Sequence, residues 1–222
     1  MRDLAALEAS GHDTGEIARL RRIVQELSPH IADEARAAAE ASDRAAKAAA
    51  ERACNDAAPP ALTADLTDFS LIQKITAPGT ASSEGPKGHS FIWTSGARVP
   101  VYAPAAGVYD SGAYYRDTPL SKAQYQMFFT VTGSCGYEFK FDHIDEPIAA
   151  IRSQLSAEPK VGDSRGTPAT TRVALRAGDL VGYTSGNALS GNWDFGLYNR
   201  KSAGALSAEG CTGLHCDAVC WP

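Results

Sequence analysis

The chain has 222 residues, with 26 acidic and 21 basic side chains and a formal net charge of −5. Its apolar and charged fractions, 44% and 21%, are typical of globular proteins and exclude a collagen-like or disordered chain. The acidic balance argues against a general nucleic-acid surface, which normally carries a basic excess. No apolar run approaches the roughly 20 residues that span a bilayer.

A helix is predicted from residue 14 to about residue 53. Apolar residues spaced three and four apart form one stripe on a face of this helix: Ile17, Leu20, Val24, Leu27 and Ile31. Thr14 is a suitable N-cap. Ser28 and Pro29 interrupt the pattern, because serine caps helices and proline suits a first helical position. Either one helix kinks there or two helices meet.

The second half of the helical segment, residues 32–53, is rich in alanine, which favours helix but offers little apolar area to bury. Two interpretations follow for residues 1–58. The helix packs on its own globular domain, or it forms a short coiled coil or partner-binding stalk, including self-association. Residues 54–60, which end in Pro59 and Pro60, are predicted to be a linker.

Residues 59–205 are predicted to form a β-rich domain. Short alternating apolar runs at 128–131, 137–141 and 194–198 are typical of strands between turns. Residues 158–171 are rich in Pro, Gly, Ser and Thr and predict a long surface loop.

The C-terminal segment, 206–222, is rich in cysteine. Three of the chain's five cysteines lie there, namely Cys211, Cys216 and Cys220, and the odd total leaves at least one unpaired within the chain. A disulfide staple is expected, a zinc knot that includes His215 is the alternative, and a reduced tail is the third interpretation. The first residues lack the pattern of a secretory signal. A secreted or periplasmic protein without its leader is expected, with a cytoplasmic location left open.

Three segments occur in an order and spacing that resemble a known family: 101–108 (Val-Tyr-Ala-Pro-Ala-Ala-Gly-Val), 141–144 (Phe-Asp-His-Ile) and 175–183 (Leu-Arg-Ala-Gly-Asp-Leu-Val-Gly-Tyr). Together they resemble the LytM-like domain of the M23 zinc peptidases, which cut peptidoglycan cross-bridges. The resemblance covers about residues 71–199. It implies a mainly β, α+β fold: an antiparallel β-sandwich or open barrel preceded by one or two α-helices.

The resemblance also implies a site from which metal ligands have been lost. In the family, a His and an Asp four residues later bind zinc with the last His of a His-x-His pair, and two other histidines assist catalysis. Here His89 matches the first ligand, whereas Trp93 stands where the Asp is expected. His143 matches the middle His. Asn192 and Asp194 replace the final pair.

The candidate metal ligands are therefore His89 and Asp194, and the vestigial catalytic candidate is His143. A third ligand could come from Asp142, Asp145 or His215. No cofactor is expected, or zinc if an M23-type site is functional.

The function predicted from the resemblance is a non-catalytic LytM-like binding or regulatory module at the cell envelope. Its partner would be a cell-wall polymer or an envelope protein such as a cell-wall hydrolase, since degenerate domains of this type with a helical segment activate cell-wall amidases. The residues expected to contact the ligand line a groove: Tyr102, His143, Asp194 and Tyr198. The alternatives are an active zinc metalloendopeptidase and a structural protein that acts through its N-terminal helix.

Overall fold

The computed structural model describes residues 14–55, 59–82, 85–201 and 217–219. The chain divides into two compact units, residues 1–53 and residues 54–222. The first unit contains one long helix and the second contains the β-sheets.

Helix α1 runs without a break over Thr14–Asn55, 42 residues, with Pro29 inside it. One helix therefore forms, and the alternative of two helices meeting at Ser28 is wrong. Proline lacks an N–H and removes one backbone hydrogen bond, and the Ser28 hydroxyl donates to the Val24 carbonyl at 2.6 Å rather than capping a new helix. The helix also continues through Cys54 and Asn55, which were predicted as linker, and residues 56–58 lie outside the described part of the chain.

Among the described residues of the β-rich unit, a 3-10 turn at Phe69–Leu71 comes first, and one short helix, α2, lies at Ala149–Arg152. Its strands in the described residues are β1 Lys74–Ile75, β2 Ala81–Ser82, β3 Gly85–Pro86, β4 Ser90–Trp93, β5 Val99–Tyr102, β6 Gly107–Arg116, β7 Gln124–Val131, β8 Tyr137–Ile144, β9 Glu146–Pro147, β10 Lys160–Val161, β11 Thr167–Pro168, β12 Ala174–Leu175, β13 Leu180–Thr184 and β14 Asn192–Asn199.

The main sheet has nine strands, with the central order β1-β4-β14-β8-β7-β6-β10, and β11 and β12 also pair with β6. A second sheet has the order β5-β13-β9, and β2 pairs with β3. The predicted class, mainly β with an N-terminal helix, is confirmed, and neither sheet closes into a barrel. The main sheet is mixed rather than purely antiparallel, because β10 runs parallel to β6.

The predicted strands at 128–131, 137–141 and 194–198 lie within β7, β8 and β14. The predicted loop at 158–171 is not entirely irregular, because β10 and β11 pair two short stretches of it with β6. Two-residue strands bury too little to leave a periodic signal, so the sequence pattern gave no indication of them.

The core lies against one face of the main sheet. Trp193, Phe195 and Leu197 of β14 alternate with Asp194 and Tyr198, so the three apolar side chains point to one face and the two polar ones to the other. The neighbouring strand β8 alternates in the same way, with Phe139 and Phe141 in the core and Lys140 and Asp142 on the opposite face. This alternation places a row of buried polar groups beside the polar residues of β14.

The segment 217–219 extends the sheet beyond the end of β4. Ala218 forms an antiparallel bridge with Tyr198, and Asp217 accepts a hydrogen bond from Arg200 at 3.3 Å.

Cys135 is disulfide-bonded. Cys211, His215, Cys216 and Cys220 lie outside the described residues, so the staple and the zinc knot both stay predictions. Within the described ranges, no helix has the length and apolar character needed to cross a membrane.

Candidate functional site

The candidate site centres on the carboxylate of Asp194, which strand pairing places between β4 and β8. His89, just before β4, lies with its Nε2 3.2 Å from Asp194 Oδ2, and His143 Nε2 lies 3.6 Å from the same oxygen. Asn192 Nδ2 donates to Asp194 Oδ1 at 2.8 Å. The side chains of His89, His143 and Asp194 are 9%, 15% and 5% exposed, so His143 is the most accessible of the three.

The pKa of Asp194 is raised to about 6. Burial is the main cause, because it disfavours the charged form, and the nearby Asp142 carboxylate acts in the same direction. His143 and Lys140 oppose the rise by favouring the anion. A carboxyl whose pKa lies near neutrality can hold or release a proton in the physiological range, which is a property of functional sites.

His143 has a left-handed backbone, with φ at 61°, which is unusual for a residue other than glycine. Its N–H donates to Asp142 Oδ1 at 2.9 Å, and its carbonyl accepts from the Thr184 hydroxyl. Such a conformation costs about 1–3 kcal/mol and persists only where surrounding contacts enforce it. Here hydrogen bonds on both sides of the residue hold the imidazole beside Asp194.

Gln124 determines which nitrogen of His143 carries the proton. Its Nε2 lies among three acceptors, Asp145 Oδ1 at 3.0 Å and the carbonyls of Gly186 at 2.9 Å and His143 at 3.3 Å. The amide nitrogen must therefore point that way, and Oε1 is left as the acceptor 3.1 Å from His143 Nδ1. In the neutral imidazole, Nδ1 then carries the hydrogen and Nε2 presents its lone pair toward Asp194.

A buried ionic network lies next to this pair. Lys140 Nζ is 2.9 Å from Asp142 Oδ2, and the Tyr115 hydroxyl donates to Asp142 Oδ1 at 2.7 Å. Burial by itself would raise the pKa of Asp142. The charge of the Lys140 ammonium and the hydrogen bonds from Lys140 and Tyr115 lower this pKa to about 2. Asp142 therefore stays ionised, and its charge contributes to the raised pKa of Asp194.

The residues present supply two of the three ligands of the zinc site that the resemblance implies, His89 and Asp194. The indole of Trp93 replaces a carboxylate ligand and cannot coordinate a metal, and Asp194 accepts a hydrogen bond from Asn192. Within residues 14–55, 59–82, 85–201 and 217–219, no three His, Cys, Asp or Glu side chains form a group that could hold a metal ion. A catalytic zinc centre needs three protein ligands and an open position.

A cleft of about 290 Å³ adjoins the site. Gln124 links the two, because it lines the cleft and also contacts His143. Leu120 and Leu189 line the cleft although they are 97% and 95% exposed. The remaining lining residues come from the β6–β7 and β13–β14 connections: Asp117, Thr118, Ser121, Lys122, Asn187 and Ala188.

The structure brings together three of the predicted site residues, His89, His143 and Asp194. Tyr198 lies on the same strand and face as Asp194 but is fully buried, and burial raises the pKa of its hydroxyl to about 12. Tyr102 lies in the second sheet, half-buried opposite Leu180. The ligand contacts proposed for these residues stay predictions.

The two other candidate ligands within the described residues are engaged elsewhere. Asp142 pairs with Lys140, and Asp145 lies 2.7 Å from Lys122 and accepts hydrogen bonds from Ser185. Sequence reasoning missed Gln124, which lies 19 positions before the histidine that it orients and carries no motif. The pairing of Lys140 with Asp142 could have been predicted from the sequence. Lys140 alternates with Phe139 and Phe141, and this alternation places it on the same face of the strand as Asp142.

No protein-family model and no curated protein matches the chain. Among solved structures, the crystal structure of a zinc-containing peptidase from Vibrio cholerae matches with a TM-score of 0.38 and 11% sequence identity. The match covers 63% of this chain and 37% of that chain, so the chain spans well under half the length of that structure. This degree of similarity supports no inference about activity, and the chemistry of the site depends on its own residues.

Proposed function

We propose that the β-rich unit is a non-catalytic, LytM-like binding module that acts at the cell envelope on peptidoglycan or on a cell-wall hydrolase. The observation that carries the proposal is the enclosure of the Asp194 carboxylate, which is 5% exposed and surrounded by side chains of the protein. Its Oδ1 accepts a hydrogen bond from Asn192, and its Oδ2 lies 3.2 Å from Nε2 of His89 and 3.6 Å from Nε2 of His143. A centre that activates water needs an open position. The enclosed carboxylate instead leaves His143, the most accessible of the three side chains, to contact a ligand.

The surroundings of Asp194 suit ligand binding. Phe91 and Trp93 are half-buried on β4, where they pair with Asp194 and Asn192, so two aromatic rings lie beside a carboxylate and an amide. Trp93 already has the Lys74 ammonium 4.8 Å above its ring. Apolar rings with a few fixed polar groups are the usual lining of ligand sites.

The disulfide at Cys135 supports an envelope location. Disulfide bonds persist in oxidising compartments such as the periplasm and the extracellular space, and they are rare in the cytosol. The motif resemblance adds the expected ligand class, a cell-wall polymer or an envelope protein.

Three measurements on the full chain, purified without chelator, test the proposal. We expect a metal content well below one zinc per chain, no turnover of purified peptidoglycan, and a rise in melting temperature with soluble peptidoglycan fragments or with a purified cell-wall amidase. The rise should disappear in His143→Asn, since asparagine tolerates the left-handed backbone but lacks the imidazole. His30→Ala, which removes an exposed histidine from helix α1, should keep it.

Two results would count against a binding module. One is peptidoglycan turnover that His143→Asn abolishes. The other is a melting temperature that neither the fragments nor the amidase changes in the wild-type chain.

A metallopeptidase is the second candidate, and one observation favours it. Two ligands of a tetrahedral zinc ion lie about 3.3 Å apart, given zinc–ligand distances near 2.0–2.1 Å. The distance from Asp194 Oδ2 to Nε2 of His89, the other candidate ligand, is 3.2 Å and falls close to that value. Zinc at one ion per chain, lost together with peptidoglycan hydrolysis in Asp194→Ala, would establish this alternative over the first.

A further inference from the structure

We propose that helix α1 pairs with the same helix of a second copy of this chain, in a parallel two-stranded coiled coil. The contact surface is the apolar stripe formed by Leu20, Val24, Leu27 and Ile31. This inference does not depend on the function of the β-rich unit.

The side chains of the stripe are exposed along helix α1. Leu20, Val24, Leu27 and Ile31 are 38%, 43%, 50% and 64% exposed, whereas Ile17, at the start of the same stripe, is already buried. Four large apolar side chains on one face of a helix are an unusual surface for a protein that stays monomeric. Covering them would remove apolar area from water without any change in the helix.

The spacing and the residue types favour an identical helix as the partner. The stripe follows two heptads in which Val24 and Ile31 occupy a positions and Leu20 and Leu27 occupy d positions, and Ile23, 38% exposed, lies beside it at a g position. β-Branched residues at a with leucine at d favour two parallel strands, because their shapes fit the holes of an identical facing helix. A second copy of α1 presents that same pattern in register.

The charges along the helix agree with this partner. Between Arg19 and Lys47, most charged side chains lie at two of the three heptad positions that face away from the stripe: Arg19, Arg22, Glu26, Asp33, Arg36, Glu40, Asp43 and Lys47. Pro29 also lies at one of these outer positions. The stripe itself carries no charge, so two copies meet there without like-charge repulsion. The ion pair between Asp33 and Arg36, at 2.7 Å, lies on the outer face.

Glu34 limits the length of the contact. It occupies the d position after Ile31 and is exposed, so a parallel dimer brings two Glu34 carboxylates toward each other. Beyond it the a and d positions are alanines up to Ala48, which bury little area. We therefore expect a weak dimer whose population depends on protein concentration.

Analytical ultracentrifugation of the full chain over a wide concentration range tests this proposal. The wild-type chain should show a reversible monomer–dimer equilibrium. Glu34→Leu should tighten it by at least about tenfold, because two opposed carboxylates become two buried leucines. Glu26→Leu makes the same chemical change on the outer face and should leave the dissociation constant within about twofold.

Val24→Lys should abolish the dimer, because it places like charges at a buried a position, and circular dichroism will verify that the helix is retained. A wild-type chain that stays monomeric at every concentration would overturn the proposal. So would equal effects of Glu34→Leu and Glu26→Leu.

Orientation is tested by disulfide cross-linking of cysteine variants, with the wild-type chain oxidised in parallel as the control for its own five cysteines. In a parallel dimer, oxidation should join two chains that carry Leu20→Cys, since the Cα atoms of facing d positions suit a disulfide. An antiparallel pairing would instead join Leu20→Cys chains only to Ile31→Cys chains. That result would refute the parallel arrangement.

Discussion

Replacing Asp194 with asparagine should increase the stability of the protein relative to the wild type as the pH rises from 4 to 7. The carboxylate is 5% exposed and its pKa is about 6 in the folded protein, against about 3.9 in an unfolded chain. Because the folded pKa is raised, the folded state holds this proton more tightly than the unfolded state does. The contribution of Asp194 to stability is therefore fully present below pH 4 and is lost as the pH rises through about 6.

The size of the effect follows from the shift. A difference of about two pKa units at about 1.36 kcal/mol each corresponds to a loss of up to about 3 kcal/mol between pH 4 and pH 7. Asparagine has nearly the same shape and keeps an oxygen for Asn192, but it has no charge to bury. Relative to the wild type, Asp194→Asn should therefore gain up to about 3 kcal/mol of unfolding free energy over this pH range.

Urea denaturation of the wild-type chain and Asp194→Asn at several pH values between 4 and 8 measures this gain. The difference between the two curves cancels the titration of groups that both proteins share. Two outcomes would refute this reasoning: a difference in unfolding free energy that does not change with pH, or a wild type that gains stability over the variant as the pH rises. Either would mean that burial does not raise the pKa of Asp194 in the folded protein.

The remaining predictions concern the structure around the site. Lys140→Met should lower the unfolding free energy by about 3–5 kcal/mol, because it leaves the Asp142 charge buried without a partner. Adding Asp142→Asn to this variant should recover much of the loss, and urea denaturation measures both effects. Gly182→Ala should lower the melting temperature, because a Cβ there would lie 2.5 Å from a backbone carbonyl of β9. Trp193→Ala should cost about 3–5 kcal/mol in the fully buried core, whereas Leu120→Ala, at a side chain that is 97% exposed, should stay within about 0.5 kcal/mol by the same assay.

The strands of the site were predictable because their pattern is local. Trp193 and Phe195 alternate with Asp194 over consecutive residues, so the strand and the face of the carboxylate could both be read from the sequence. The stripe of α1 was predictable for the same reason. Whether Pro29 divides that helix depends on the balance between one missing hydrogen bond and helix propensity over many residues, and the structure shows that the helix continues.

Residue types indicated candidate site residues but not their contacts. His89 and His143 were singled out by a motif resemblance, whereas their distances from one Asp194 oxygen depend on β4, β14 and β8 pairing in one particular register. Tyr198 shows the limit of this reasoning, because its strand and face gave no indication that it would be fully buried.

The sequence by itself determined the fold class, the long amphipathic helix and the alternation that separates core from polar face, because each of these is a periodicity within a few consecutive residues. Only the tertiary structure decided the chemistry of Asp194. Its raised pKa, the histidines on either side of it and the amide of Gln124 that orients one of them all depend on residues far apart in sequence. Burial and hydrogen-bond geometry are properties of the packed protein, and they arise only when those strands come together.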